Sequence, residues 1–407
     1  MKTEISTTTE SNPHIKFLFS LSTVYIAVNV NIQGFLSLMP LIREDFLLNR
    51  SQVGLYSSFL FLTATAMALL SGRIVDQIGS KRSLTYAPIL MGSFIILHSI
   101  VPRFSFLLLL ALFAGFTFSI ITPSLNKAVI DRVEEKKRAF SMGIVHSGGG
   151  VGGFIGASLL PVLALNLGWR KTIFFAGFLL VLIGFYMAKT YQEQQIEGED
   201  SNLESEDISF KDSLLTLFKM KKLMGLAILG VAFGTALGTI PAHYTLYLTQ
   251  DLTLDITKAG VALGIVQIGG IVGLSFWGWI NDKLMDGERK KGMILLGVVL
   301  AGMIFLFNFY LNYTQPSFLL ILVTSFLLGT TSLGWMGIHF TTIAELVSSE
   351  FIGIATGLGL VFTRLGMLLS PPLFGYLADL TDSYYYSWLA MGMVILISTF
   401  IFAWYER

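Results

Sequence analysis

The residues GRIVDQIGSKR (72–82) recur in shortened form as GWINDK (278–283), about two hundred positions further along the chain. In both stretches a glycine precedes an aspartate by four residues, and basic side chains follow. Glycine allows two helices to approach closely, and an aspartate at a helix end can pair with basic groups or with a neighbouring helix N-terminus. The repeat predicts two related halves, each with a charged clasp that can hold a gate closed.

The sequence around these stretches is almost uncharged. Of 407 residues, 54% are hydrophobic and 13% are charged, with a mean hydropathy of +0.71, whereas about 25% of residues are charged in soluble proteins. Apolar runs long enough to cross a bilayer predict an all-α membrane protein with twelve transmembrane helices. We place the spans at 16–41, 52–75, 83–102, 104–128, 140–166, 171–189, 223–249, 258–281, 292–313, 316–343, 352–379 and 386–404.

A polar segment separates the first six spans from the last six. We predict an N-terminal six-helix bundle at 1–189, a cytoplasmic linker at 190–222 and a C-terminal six-helix bundle at 223–407. Within the linker, Phe210, Leu214, Leu217 and Phe218 share one helical face, which indicates an interfacial helix. A solvated linker is the alternative.

The distribution of lysine and arginine fixes the expected orientation. These residues are concentrated in segments on the side of the termini, so both termini are expected in the cytoplasm. The first thirteen residues are polar and precede a full-length span, so we expect no cleavable signal peptide.

Composition also excludes several classes of function. A net charge of +1 gives no indication of nucleic acid binding, and the absence of cysteine excludes disulfides and thiolate metal sites. The five histidines lack metal-ligand spacing, and no nucleotide-binding loop is present. We expect no cofactor, no metal and no catalytic residue, and therefore no enzyme.

The stretch at 72–82 resembles the signature loop of the major facilitator superfamily, G-x-L-A-D-R-x-G-R-K-x-x-L. The first copy matches at Gly72, Asp76, Gly79, Lys81 and Leu84, and the second keeps Gly278 and Asp282. Gln77 and Ser80 each replace a basic residue of the pattern. The resemblance implies two six-helix bundles around a central cavity, with spans 1, 4, 7 and 10 lining it and rocking between two openings. We also expect a monomer in lipid, in a prokaryotic inner membrane.

Two departures from the family disfavour proton/drug antiport. Many members carry an arginine in span 4, four residues before a glycine, and Ala111 occupies that position before Gly115. Drug antiporters carry a Gly-Pro element in span 5, whereas residues 148–153 are rich in glycine and lack the proline.

Arg364 lies near the middle of predicted span 11. A cation at that depth costs several kcal/mol in hydrocarbon, so it is expected to face protein or water. Its surroundings, from Gly357 to Pro372, are similar to span 11 of organic-anion carriers. Arginine suits a carboxylate because its planar fork donates two parallel hydrogen bonds. The alternative is a structural arginine bonded to backbone carbonyls.

Polar residues form stripes on three of the spans expected to line the cavity. Because they recur every three or four residues, the members of a stripe share one helix face. The predicted substrate-binding residues are Tyr25, Asn29 and Gln33 in span 1, Thr239 and His243 in span 7, and Trp335 and His339 in span 10. We interpret Gln267 and His146 as helix-packing or capping residues.

These features predict a secondary carrier for a small organic anion, either a monocarboxylate or an aromatic carboxylate. Because no Asp or Glu lies inside a span, proton symport would use His243, His339 or His146, or the substrate carboxyl itself. Exchange and uniport need no such group. The alternative function is a drug or neutral-solute carrier in which Arg364 is structural. A sensor built on the same fold is a third reading, disfavoured because an additional soluble domain would be expected.

Overall fold

The computed structural model describes residues 13–191, 210–313, 316–348 and 351–405, and within these ranges it contains helices and no strands. The helices are α1 Pro13–Ser37, α2 Met39–Phe46, α3 Arg50–Ala66, α4 Ala68–His98, α5 Phe104–Arg132, α6 Glu135–Leu167, α7 Trp169–Thr190, α8 Phe210–Lys219, α9 Lys221–Gln250, α10 Ile256–Leu284, α11 Arg289–Tyr313, α12 Phe318–Leu346, α13 Ile352–Thr381 and α14 Tyr385–Tyr405. The prediction of an all-α membrane protein is confirmed.

The number of membrane-spanning segments depends on α3 and α4. Ten described helices are long and apolar enough to cross a membrane, and the bent pair of α3 and α4 raises the count to eleven. Gly79 interrupts α4 with a φ of 82°, a conformation that glycine adopts without steric cost. Gly79 divides α4 into two helical parts. Helix α3 and the part of α4 before Gly79 correspond to predicted span 2, and the part after Gly79 corresponds to predicted span 3.

Local sequence explains where several helices begin. The Asn49 side chain accepts a hydrogen bond from Gln52 N while the Gln52 side chain accepts one from Asn49 N, which forms a capping box before α3. Asp255 caps α10 and Ser317 caps α12 through side-chain oxygens. These caps satisfy first-turn N–H groups that have no partner inside the helix.

The predicted linker is described only in part. Its acidic residues 197–207 lie outside the described residues, so the division at 1–189, 190–222 and 223–407 stays a prediction. Helix α8 forms where the interfacial helix is predicted. Leu217 is buried, and the Phe218 ring lies 6.4 Å from that of Phe362 on α13.

Contacts between the two halves are extensive at one end of the bundle. We call this the distal end, defined by residues 38–50, 251–255 and 382–384, and the opposite end, with residues 76–82 and 284–289, the proximal end. Near the distal end α3 packs on α13 and α6 packs on α10. A Cβ atom on Gly54 would collide with the backbone of Pro371 and Pro372. The distal halves of these helices are therefore closed against each other.

Candidate functional site

A cavity of about 840 Å³ lies between the two halves, within the usual volume range of small-molecule sites. Residues of α1, α3, α5, α6, α9, α10, α12 and α13 line it. The polar lining residues are Tyr25, Asn29, Gln33, His146, Ser147, Gln267, Ser275 and Ser332. No Asp, Glu, Lys or Arg is found among the lining residues that the structure describes. The cavity extends towards the proximal end, where Phe140 and Ile144 are exposed.

The predicted stripe on α1 lies in the cavity wall. Tyr25, Asn29 and Gln33 all line it. The Asn29 amide donates to the carbonyl oxygen of Tyr25 at 3.0 Å, which holds the Asn29 side chain along its own helix. The Gln33 Oε1 atom is shielded from solvent and has no hydrogen-bond partner among the described residues.

The predicted stripe on α9 lies elsewhere, in the contact between α9 and α13. Thr239 Oγ1 donates to Ser370 Oγ at 2.8 Å. His243 Nε2 lies 2.8 Å from the carbonyl oxygen of Pro371, and Nδ1 lies 3.2 Å from the Tyr384 hydroxyl. Both side chains are fully buried. The α9 residues that line the cavity are Ala236, Leu237, Ile240 and Pro241.

On α12 the structure brings only Ser332 and its neighbours Leu333 and Met336 to the cavity. Trp335 is fully buried, stacks on Phe233 at 5.1 Å and donates from Nε1 to the carbonyl oxygen of Ser332 at 2.8 Å. His339 is also fully buried and packs edge-on against Trp335. These two rings are therefore placed in the packing of the C-terminal half rather than in the cavity wall.

Arg364 lies between the halves, and it is not among the residues that line the cavity. Its Nη1 donates to the carbonyl oxygen of Ala64 on α3 at 3.1 Å, which is its one hydrogen bond among the described residues. The cavity-lining residues Met367 and Phe61 lie three positions from Arg364 and Ala64 along their helices. A bond to a backbone carbonyl is what the structural alternative predicts. Four of the five guanidinium N–H donors remain free of described partners.

Two cavity residues were given packing roles by the sequence analysis. His146 lines the cavity, with Nε2 2.7 Å from Asn126 Oδ1 and its ring 5.5 Å from that of Tyr25. Gln267 lines it from α10. The glycine-rich residues 148–153 were the feature of the sequence that indicated a cavity position, because small residues on one helix mark the place where other helices and their side chains come close.

The aspartates predicted to act in gating, at the proximal end, make ion pairs within each half. Asp76 pairs with Lys127 of α5 at 3.3 Å, while Asp282 pairs with Arg289 at 2.6 Å, and Arg289 also reaches Glu345. Gly72 and Gly278, expected at close helix contacts, have open space where a Cβ atom would lie. Lys81 follows the turn at Gly79 and is partly exposed. In this conformation the two glycines therefore do not serve as close-contact positions.

A clasp between the halves is present instead at the distal end. Both carboxylate oxygens of Asp379, on α13, accept hydrogen bonds from the first backbone N–H groups of α3, at Arg50 and Ser51, each at 2.9 Å. The Arg50 side chain donates to the carbonyl oxygen of Ala378 at 2.9 Å and to Asp382 at 3.0 Å. A carboxylate at a helix N-terminus is favoured by the helix dipole. We call these contacts of Arg50, Ser51, Asp379 and Asp382 the distal clasp.

The loop that holds Asp382 is itself fixed by Asp251. The Asp251 carboxylate accepts hydrogen bonds from Tyr384 N at 2.8 Å and Ser383 Oγ at 3.2 Å. Burial raises the pKa of the Asp251 carboxyl above its ordinary value, and these hydrogen bonds partly oppose that shift. Residues 382–384 are thereby held in place beneath Arg50.

Comparison with known proteins places the chain in a family. A hexuronate transporter of Bacillus subtilis (strain 168) is 23% identical over 363 residues, covering 87% of this chain and 85% of the relative. The probable galactarate/D-glucarate transporter GudP of Escherichia coli (strain K12) is 24% identical over 359 residues, covering 80% and 78%. A solved bacterial homolog of the human lysosomal transporter Spinster, inward-facing and unoccupied, aligns with a TM-score of 0.82 and 14% identity over 98% of both chains.

The family model of the Major Facilitator Superfamily matches residues 21–338 and 226–407. Together these ranges include most of α1, all the other described transmembrane helices and both copies of the glycine–aspartate motif. The chain therefore belongs to the Major Facilitator Superfamily, and it is a multi-pass membrane transporter rather than an enzyme.

Proposed function

We propose that this protein is a secondary active carrier that moves a small organic anion across a bacterial inner membrane by alternating access. The observation that carries the proposal is Arg364, a cation placed between the halves and one helical turn from the cavity-lining residue Met367. Relatives named as carriers of hexuronate and of galactarate or D-glucarate support the anionic substrate class. We expect the carrier to act as a monomer.

The expected orientation in the membrane indicates which side the cavity opens to in this conformation. With both termini in the cytoplasm, as the lysine and arginine distribution favours, the distal end faces outward. The distal clasp then closes the external side while the cavity opens inward. This state would release substrate to, or receive it from, the cytoplasm.

The cavity wall supports an arrangement in which the carboxylate lies at the cavity edge. The described lining residues include no permanent charge, and Arg364, one helical turn from the lining residue Met367, is the cation that we assign to an anionic group. Its free N–H donors can form two parallel bonds with a carboxylate while the bond to Ala64 is kept. The neutral part of the substrate would then occupy the space between Asn29, Gln33 and Gln267.

For a proton-symport mechanism, His146 is the best-placed proton carrier. Of the three histidines named from the sequence, His146 lines the cavity, whereas His243 and His339 are fully buried in helix contacts. Imidazole can both accept and release a proton, so a histidine on the cavity wall is the residue type suited to this role. With Nε2 directed at Asn126, Nδ1 is the nitrogen left to take the proton or to donate to an anion.

A second candidate function is a carrier of neutral or lipophilic solutes. The observation that favours it is the bond from Arg364 to the carbonyl oxygen of Ala64, which lies in the last turn of α3. Carbonyls in a last turn lack partners inside the helix. Arg364 could therefore serve α3 rather than a substrate.

The test of the proposed function is uptake by proteoliposomes containing the purified protein, with protein-free vesicles as the control. Labelled galacturonate, hexanoate, glucose and a cationic dye would be offered separately. We expect saturable uptake of a carboxylate that is inhibited by other carboxylates. Transport of glucose or the dye without carboxylate transport would contradict the proposal and favour the second candidate.

A further inference from the structure

Two glutamine side chains, one from each half, line the cavity without a protein partner. Gln33 is on α1 and Gln267 is on α10. The Gln33 Oε1 atom has no hydrogen-bond partner, and no hydrogen bond joins either amide to another residue within the described ranges. The Gln33 Nε2 atom and both amide atoms of Gln267 are not among the atoms shielded from solvent, so they can exchange water in the cavity for a ligand as hydrogen-bond partner.

The packing around Gln267 shows how its position is maintained. Gln267 is only 8% exposed. Its side chain lies over Gly153 of α6, in the opposite half, where an added Cβ atom would come within 2.8 Å of Cγ and 3.2 Å of Oε1. Glycine at this position therefore makes room for the amide where α6 and α10 meet. In the N-terminal half the Gln33 Oε1 atom is closed to solvent, so its Nε2 group is the part of the amide that we assign to the ligand.

We infer that Gln33 and Gln267 read hydroxyl groups of the substrate and make the carrier selective for hydroxylated carboxylates. A hydroxyl both donates and accepts, and an amide offers one oxygen acceptor and two N–H donors. An aliphatic or aromatic carboxylate would leave both amides unpaired and be rejected for that reason. This inference rests on the proposed carrier function and narrows its substrate class from small organic anions to polyhydroxylated carboxylates, in place of the monocarboxylate or aromatic carboxylate expected from the sequence.

Because the two amides lie on opposite halves, recognition of substrate hydroxyls also affects the contact between the halves. A hydroxylated ligand that bonds to both Gln33 and Gln267 joins α1 to α10 across the cavity. A ligand lacking hydroxyls could contact the same helices only through apolar atoms. Alternating access changes the relative position of the two halves, so hydroxyl recognition is coupled to that change.

The experiment compares binding of galacturonate and hexanoate, six-carbon carboxylates with and without hydroxyls, to the purified protein in detergent. For Gln33→Leu and Gln267→Leu we expect the affinity ratio of galacturonate to hexanoate to fall by about tenfold each. Each substitution removes one hydrogen bond to galacturonate, and it also removes the amide that hexanoate would leave unpaired. Gly153→Ala should lower the ratio too, because it displaces the Gln267 side chain. Gln→Met variants at both positions repeat the test with flexible side chains if the leucine variants melt early.

Thr245→Val is the matched control. Thr245 is buried and its hydroxyl is likewise unpaired, but it does not line the cavity, so its ratio should equal that of the parent. A ratio unchanged in all glutamine variants, with both carboxylates bound by the parent, overturns this inference and leaves the carrier function standing. A parent that binds neither carboxylate overturns both.

Discussion

Arg364→Gln is expected to bind the transported carboxylate at least about thirtyfold more weakly than the parent, because removing one member of a desolvated charge pair commonly costs about 2–5 kcal/mol. Arg364→Lys keeps the charge but loses the planar fork, so its affinity should fall between the two. Binding by titration calorimetry in detergent measures the effect. The same variants should retain uptake of any solute that does not use the arginine.

Thermal melting without ligand separates the binding role from the structural one. If Arg364 mainly serves the last turn of α3 through Ala64, both variants should melt well below the parent in the absence of substrate. If it binds the anion, melting without ligand should change little while stabilisation by added carboxylate is lost. A Gln variant with parental melting and parental carboxylate affinity would contradict the anion-site proposal.

Asp379→Asn should shift the protein from the distally closed conformation towards a distally open one by about tenfold or more. The substitution replaces one of the two oxygens that accept from Arg50 N and Ser51 N with an N–H donor. Each hydrogen bond to a charged group contributes about 1.5–3 kcal/mol, and water at this end recovers part of the loss. Gly54→Val should act in the same direction, because its side chain would meet the Pro371 backbone.

The absence of cysteine in the sequence makes this shift measurable. Spin labels on cysteines introduced at Asn166 and Thr253, exposed positions of the two halves at the distal end, report their separation. We expect the population of long distances to increase in Asp379→Asn. The control is Asp286→Asn, an exposed aspartate at the proximal end, which should leave the distribution unchanged. A parental distribution in both Asp379→Asn and Gly54→Val would show that the distal clasp does not hold the gate.

The sequence was sufficient to predict the fold class. The length of an apolar run follows from the thickness of the membrane, and the repeated glycine–aspartate motif indicates two related halves. Candidate site residues were harder to predict. Helical spacing places Thr239 and His243 on one face of α9, but it does not say whether that face meets a cavity or another helix. In the structure their polar atoms bind Ser370, Pro371 and Tyr384. Helical periodicity identifies the residues that share a helix face, whereas the packing of the helices decides whether that face meets the cavity or another helix.

The opposite case is that of His146 and Gln267, for which the sequence favours packing or capping and which line the cavity in the structure. Each is a single polar residue among apolar or small ones, so no stripe marks it. Their access to the cavity depends on which helices of the two halves approach, including the contact of α6 with α10 through Gly153. The distal clasp was not predicted either, since Asp379 and Arg50 are separated by more than three hundred residues.

The most direct measurement of the central claim is ligand protection of a single cysteine at Ser275, an exposed residue of the cavity wall on α10. Alkylation of Ser275→Cys in detergent should be slowed at least about tenfold by a saturating concentration of the transported carboxylate, because a site occupied for nine-tenths of the time is accessible for one-tenth. Ser105→Cys, exposed and outside the cavity, should react at the same rate with or without the anion. An anion that vesicles accumulate through this protein but that leaves alkylation of Ser275→Cys unchanged would contradict the assignment of the cavity as its binding site.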